Sequence, residues 1–235
     1  MSTVETGIPA VLATRLSAEQ AHQKAFLWNR AKWEPLVSDI PDAAAALKDL
    51  PNELDRDAVR GAVQGNLVRE RVLGALVPVL IWGGPGRYGP YRARRILTAG
   101  TNTAGGAVET DIREQLIKAG DIVRDENAAA EAFRFMNNEG RIKFLGPAFF
   151  TKWLAFSSMT DSVDGKNVAP ILDKRVRDWI FQNTRGTDQI NLRTTSTAHY
   201  QRYLDLLDAW GGPYGRTRAQ VELAIFDLTR DRPAV

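Results

Sequence analysis

From Val72 to Trp82 the chain runs VLGALVPVLIW, with no charged side chain. A segment that is apolar on every side must be surrounded. It predicts a buried central helix over Val68–Trp82, with other helices packed around it. The uncharged run continues to Gly86 but is broken by Pro78 and Gly83-Gly84. It also falls short of the roughly 20 residues that a bilayer span needs.

The flanking sequence supplies the partners. Ser17 with Gln20 forms a capping-box pattern that opens a helix running to Trp33. Further helices are expected over 41–50, 54–63, 90–99, 108–118, 126–138, 147–157, 173–182, 197–210 and 217–228, with Gly140 as the stop after 138. Alternating β-branched runs are scarce, and 188–195 is the one short strand candidate. The expected fold class is therefore all-α. Trp-Gly-Gly-Pro occurs at 82–85 and again at 210–213, each time ending a predicted helix. The two copies read as similar helix stops, or more weakly as two walls of one site.

Composition narrows the chemistry. The 235 residues are 44% hydrophobic and 25% charged, which suits a globular chain. Thirty-one basic against 28 acidic residues give +3, which permits a polyanionic partner without requiring one. No cysteine is present, so disulfides, thiolate zinc sites, iron–sulfur clusters and cysteine nucleophiles are excluded. The two histidines, His22 and His199, do not make a metal site and read as surface or cap-adjacent residues. Met1–Thr14 lacks a basic region followed by an apolar run, so a cytoplasmic protein is expected, nucleoid-associated when bound to DNA.

Residues 139–181 carry the most information. After a helix ending near Lys143, Phe144-Leu145-Gly146 forms a tight turn, and Pro147 suits the first position of a new helix. On that helix Phe149, Trp153 and Phe156 share a core-facing stripe, with Lys152 at its edge. Such a hairpin points backbone N–H groups outward, where they bind phosphate without reading sequence. Further on, Asp173 follows Ile171-Leu172 and precedes a helix with Val176, Trp179 and Ile180 inward. It is an expected N-cap, at a helix end that favours negative charge.

The turn Leu145-Gly146-Pro147, followed by Ile171-Leu172-Asp173-Lys174-Arg175-Val176, resembles the helix-hairpin-helix DNA glycosylase superfamily. The string Gly-Pro-Ala-Phe-Phe-Thr-Lys at 146–152 is similar to the 8-oxoguanine-glycosylase-like bacterial branch. This resemblance implies a single unit of two helical lobes with a cleft between them, the hairpin at 139–157 and a catalytic loop and helix at 168–182. It implies cleavage of the N-glycosidic bond of a flipped base in double-stranded DNA by a monomer. It assigns Asp173 to stabilising the positive charge that develops on the sugar.

The lysine has two alignments. If Gly146 is the last hairpin glycine, Ala148 takes the place of the Schiff-base lysine, and Lys152 lies one turn later on nearly the same face. If Thr151-Lys152 is the anchor, Lys152 takes that place directly, and its spacing of 21 to Asp173 fits better than the 27 from Gly146. A deprotonated Lys152 attacks C1′ and adds lyase activity; without it, water is the nucleophile. No cofactor is required, although relatives hold a monovalent cation at the hairpin.

Residues 82–95 contain four arginines, three aromatics and no acid, a composition that suits a phosphate track with stacking plates. Between 141 and 177 seven basic residues face three acidic ones. The DNA-contacting candidates are Lys143, Phe144, Leu145, Gly146, Arg87, Arg92, Lys174 and Arg175. The base-pocket candidates are Phe149, Trp153, Trp179, Tyr200, Tyr203 and Phe226, most of which suit plain core equally well. Two variants of the functional reading stand beside repair of 8-oxoguanine or another modified base. One is excision of modified bases from phage DNA in defence, and the other is a non-catalytic DNA-binding protein.

Overall fold

The computed structural model describes residues 7–19, 23–84, 86, 88–101, 103–184 and 189–230. Within them the chain is helical, and the one sheet is a pair of two-residue antiparallel strands, β1 (Phe26–Leu27) and β2 (Glu53–Leu54). The helices are α1 (Ala10–Ser17), α2 (Arg30–Val37), α3 (Pro41–Asp49), α4 (Arg56–Val68), α5 (Val72–Gly83) and α6 (Gly89–Leu97). They continue with α7 (Asp111–Arg124), α8 (Ala129–Asn137), α9 (Pro147–Ser158), α10 (Lys174–Asn183), α11 (Thr197–Gly211) and α12 (Arg218–Arg230).

The apolar run behaves as its composition demands. Every residue of α5 from Val72 to Trp82 is buried, and the helix packs against α3, α4, α6, α7 and α9. It starts later than expected because the chain turns at Arg69–Arg71, with Glu70 in the left-handed region at φ 58. Among the described residues no helix is long and apolar enough to cross a membrane.

Three expectations fail. The helix over 17–33 is absent: Ser17 closes α1 by donating its hydroxyl to the Ala13 carbonyl, and Ala18 is extended. The next helix begins at Arg30, where Asn29 accepts the Lys32 N–H at 3.2 Å. Gln20 lies outside the described residues. The strand at 188–195 is also absent: residues 189–195 form no strand, and Asp188 is not described. The helix expected to reach Lys143 stops at Asn137, since the Asn138 side chain donates to the Arg134 carbonyl and the Gly140 N–H to that of Phe135.

Candidate functional site

Asp173 caps α10. Its Oδ1 accepts the Val176 N–H at 3.1 Å, leaving Oδ2 3.6 Å from Lys152 Nζ. That distance is an ion pair rather than a direct hydrogen bond. The segment before Asp173 is pinned from two sides. On the α9 side, the Ser158 and Thr151 hydroxyls accept the Ala169 and Leu172 N–H groups at 3.0 and 3.2 Å. On the α11 side, the Tyr200 and Tyr203 hydroxyls donate to the Pro170 and Ile171 carbonyls, both at 2.9 Å. Burial pushes both phenols upward in pKa, so they stay protonated donors.

Lys152, expected at the edge of the α9 stripe, is buried. It is 6% exposed, and its Nζ donates to the Ala148 carbonyl at 2.8 Å. Its stem passes Gly83, where a Cβ would come within 2.8 Å of Lys152 Cδ and 3.0 Å of the Phe149 ring. Burial lowers the Lys152 pKa; Asp173 and Glu222 oppose this and Arg56 adds to it. A lysine tuned this way holds a larger neutral, nucleophilic fraction than a surface lysine.

Two further charged residues complete the group. Glu222 of α12 is 1% exposed and accepts from Arg56 Nη2 at 2.6 Å. Burial raises the Glu222 pKa, Asp173 adds to the rise, and Arg56 and Lys152 oppose it. The Arg56 guanidinium and Lys152 Nζ lie 5.5 and 5.9 Å from the centroid of the Trp82 ring. Lys152, Asp173, Glu222 and Trp82 line one cleft of about 460 Å³, with Gln23, Gly83, Arg92, Phe149, Arg175 and Phe226 among the other lining residues. Two polar atoms of the lining residues, Trp82 Nε1 and Gln23 Oε1, are buried without a hydrogen-bond partner.

Lys152 thus pairs with the capping Asp173 at the wall of the cleft. A family model described as "Putative 8-oxoguanine DNA glycosylase OGG-like protein" matches residues 19–226. The chain belongs to this family. No curated protein and no solved structure matches it.

In this OGG-like chain the remaining candidates separate clearly. Phe149 and Phe226 line the cleft. Trp153, Trp179, Tyr200 and Tyr203 are core: Trp153 Nε1 donates to the Leu116 carbonyl at 3.2 Å, and Tyr200 stacks on Phe133 at 4.2 Å. Leu145 is buried and not available to DNA, whereas Lys143, Phe144 and Gly146 are exposed. Arg92 lies at the cleft with its guanidinium 4.9 Å from the Phe149 centroid, and Arg175 lies 5.7 Å from that of Phe226. Lys174 is exposed and pairs with Asp178. Arg87 and His22 lie outside the described residues.

Of the basic run at 82–95, Arg94 is structural: it is fully buried and grips Asp39 at 2.6 and 2.8 Å. That bond holds the Asp39 carboxyl below the usual range. His199 sits in the first turn of α11 and accepts the Arg193 N–H. Among the described residues no three His, Asp or Glu side chains cluster to hold a metal ion. At the hairpin, the Ile142 and Gly146 carbonyls already accept amide hydrogen bonds, so they are only partly open to a monovalent cation.

Sequence reasoning missed Glu222, Arg56 and Gln23. Glu222 carries a usable signal: it is an acid between Val221 and Leu223 in the helix expected over 217–228. The Arg56 partnership spans 166 positions and leaves no local trace.

Proposed function

We propose that this protein is a DNA glycosylase that releases an oxidised purine of the 8-oxoguanine type from duplex DNA, with Lys152 as nucleophile and Asp173 as electrostatic partner. The observation that carries this reading is the 3.6 Å approach of Lys152 Nζ to Asp173 Oδ2 at the wall of a cleft. A binding-only module has no use for a buried lysine there.

In this mechanism the extruded nucleotide enters the cleft with its sugar against Lys152. The C1′–N9 bond breaks with its electron pair leaving on the base, and the Asp173 carboxylate stabilises the cationic sugar. Neutral Lys152 forms the new N–C1′ bond, and its surplus proton passes to the departing base. The nitrogen lone pair then forms the C1′=N imine as the C1′–O4′ bond breaks and O4′ takes up a proton; removal of a C2′ proton forms the C2′=C3′ bond and expels the 3′ phosphate, which gives the lyase product. Where the lysine is protonated, water takes its place and the product is an abasic site.

The base preference rests on the cleft's polar atoms. Oxidation of guanine at C8 converts the N7 acceptor into an N–H donor and adds a carbonyl acceptor. Gln23 Oε1 and Trp82 Nε1, unpartnered atoms of residues that line the cleft, offer the matching acceptor and donor. Phe149 and Phe226 supply apolar faces for the ring. Arg92, Arg175, Lys143 and the α9 N-terminus, which has no side-chain cap, supply phosphate contacts. The whole chain acts in this reading as one two-lobed unit.

The test is base release from matched duplexes carrying 8-oxoguanine or guanine. Wild type is expected to release the oxidised base and leave guanine in place, and Asp173→Asn to release neither while still binding. Tight binding with no release from any modified duplex would make the protein a binding module instead.

A further inference from the structure

Arg56 of α4 and Glu222 of α12 are 3% and 1% exposed, and they meet at 2.6 Å. A buried ion pair seldom recovers, by its own attraction, what its charges lose on leaving water. Among the described residues Glu222 is the one carboxylate that this guanidinium holds, since Arg56 Nε and Nη1 have no partner. The position of the pair suggests a use other than stability. Glu222 lines the cleft beside Lys152 and Asp173. Arg56 and Lys152 lie against the same Trp82 ring, 5.5 and 5.9 Å from its centroid.

The charges that face Lys152 come from few elements. α5 has no ionisable side chain. From α4 comes Arg56, whereas Arg60 lies 4.0 Å from Asp57 and donates to the Thr160 carbonyl, past the end of α9. α7 and α8 meet α9 at Trp153 and Phe150, through the Leu116 carbonyl and the Phe133 ring. The N-terminus of α10 supplies Asp173, and α12 supplies Glu222. The other charged residues that line the cleft, Lys24, Arg92, Lys174, Arg175 and Arg230, are exposed cations whose fields water screens.

Lys152 therefore has two carboxylates and one buried cation around it. Two carboxylates alone would hold its proton, and a cation added to burial would strip it. Burial does lower the Lys152 pKa, with Asp173 and Glu222 pulling it up and Arg56 pulling it down.

We propose that Arg56 and Glu222 are positioning residues that together set the pH above which Lys152 acts as a nucleophile. Neither touches the sugar. Glu222 serves Lys152 as a second counter-ion, and Arg56 limits its pull. This inference rests on the glycosylase reading.

The experiment is cyanoborohydride trapping on a duplex holding an aldehydic abasic site, with the single-turnover rate of adduct formation per folded protein followed against pH. The midpoint of its acid limb reports when the amine loses its proton. Glu222→Gln removes the charge and keeps an acceptor for Arg56. Its midpoint is expected about one pH unit below that of wild type, so adduct forms about tenfold faster on the acid side of both. Arg56→Met combined with Glu222→Gln removes both charges, and its midpoint is expected close to that of wild type. A purely structural pair would lower the plateau and leave the midpoint in place, and an unmoved midpoint in Glu222→Gln would overturn the inference alone. So would a double variant that keeps the full displacement of the single one. A wild type that forms no adduct at any pH would overturn the nucleophile of the functional reading, and the role of the pair with it.

Discussion

Trp82-Gly83-Gly84 and Trp210-Gly211-Gly212 are the same tripeptide at the end of a helix, yet the two corners do different work. At the first, the indole N–H is buried without a partner on a residue that lines the cleft, and Gly83 leaves room for the stem of Lys152. At the second, the indole is buried in the core, and Gly211 lies where a Cβ would come within 2.5 Å of the Arg216 carbonyl and 2.8 Å of Val221. One glycine makes space for the Lys152 stem; the other makes space for the chain itself. What a short motif does is set by what packs against it, not by its letters.

Substituting the two glycines should separate these roles. Gly83→Ala forces the Lys152 stem and the Phe149 ring aside, and misplacement by about 1 Å costs a reaction about 10²-fold. Base release in single-turnover assays is expected to fall by that order, with the melting temperature little changed. An unaffected rate would show that Lys152 does not depend on this contact.

Titration gives the next largest contrast, because Lys152 and Glu222 are buried ionisable groups that line the cleft at the first corner. The Lys152 pKa is lowered by burial, so the unfolded chain holds more protons between the folded value and the ordinary one. Stability therefore climbs with pH across that window. Glu222 has the opposite sign: its pKa is raised by burial, so its stabilising effect is present in acid and is lost as pH rises through the folded value. Denaturant unfolding against pH should show the alkaline climb in wild type and not in Lys152→Met. Asp208→Asn, which removes an exposed partner of Arg218 near the second corner, should keep it.

The smallest effect on chemistry belongs to Gly211→Ala. A backbone clash of this kind costs about 1–3 kcal/mol of stability. At roughly 2–4 °C per kcal/mol for a chain of this size, the melting temperature should drop by several degrees, while base release measured well below it stays near wild type. A large loss of activity there would erase the distinction between the corners.

The helical class was legible because VLGALVPVLIW leaves a chain few alternatives. The N-cap role of Asp173 was equally plain, since it depends only on neighbours three residues away. Lys152 was half legible: periodicity put it at the edge of a stripe, but only the close passage of α5 at Gly83 shows that the edge is buried. Trp153, Tyr200 and Tyr203 stayed open between pocket and core because an inward aromatic looks the same in sequence whether it faces a cleft or a core. The 17–33 stretch misled for a related reason: Ser17 is as good at closing one helix as at opening another, and its bond to the Ala13 carbonyl decided the matter.

In the proposed reaction Lys152 and Asp173 act together on one sugar carbon. Borohydride reduction of the protein with a duplex carrying 8-oxoguanine, followed by peptide mapping, tests this directly. The expected result is a covalent adduct on Lys152 that is absent from Lys152→Ala and strongly reduced in Asp173→Asn. An adduct on another residue, or an undiminished yield without the Asp173 carboxylate, would contradict it.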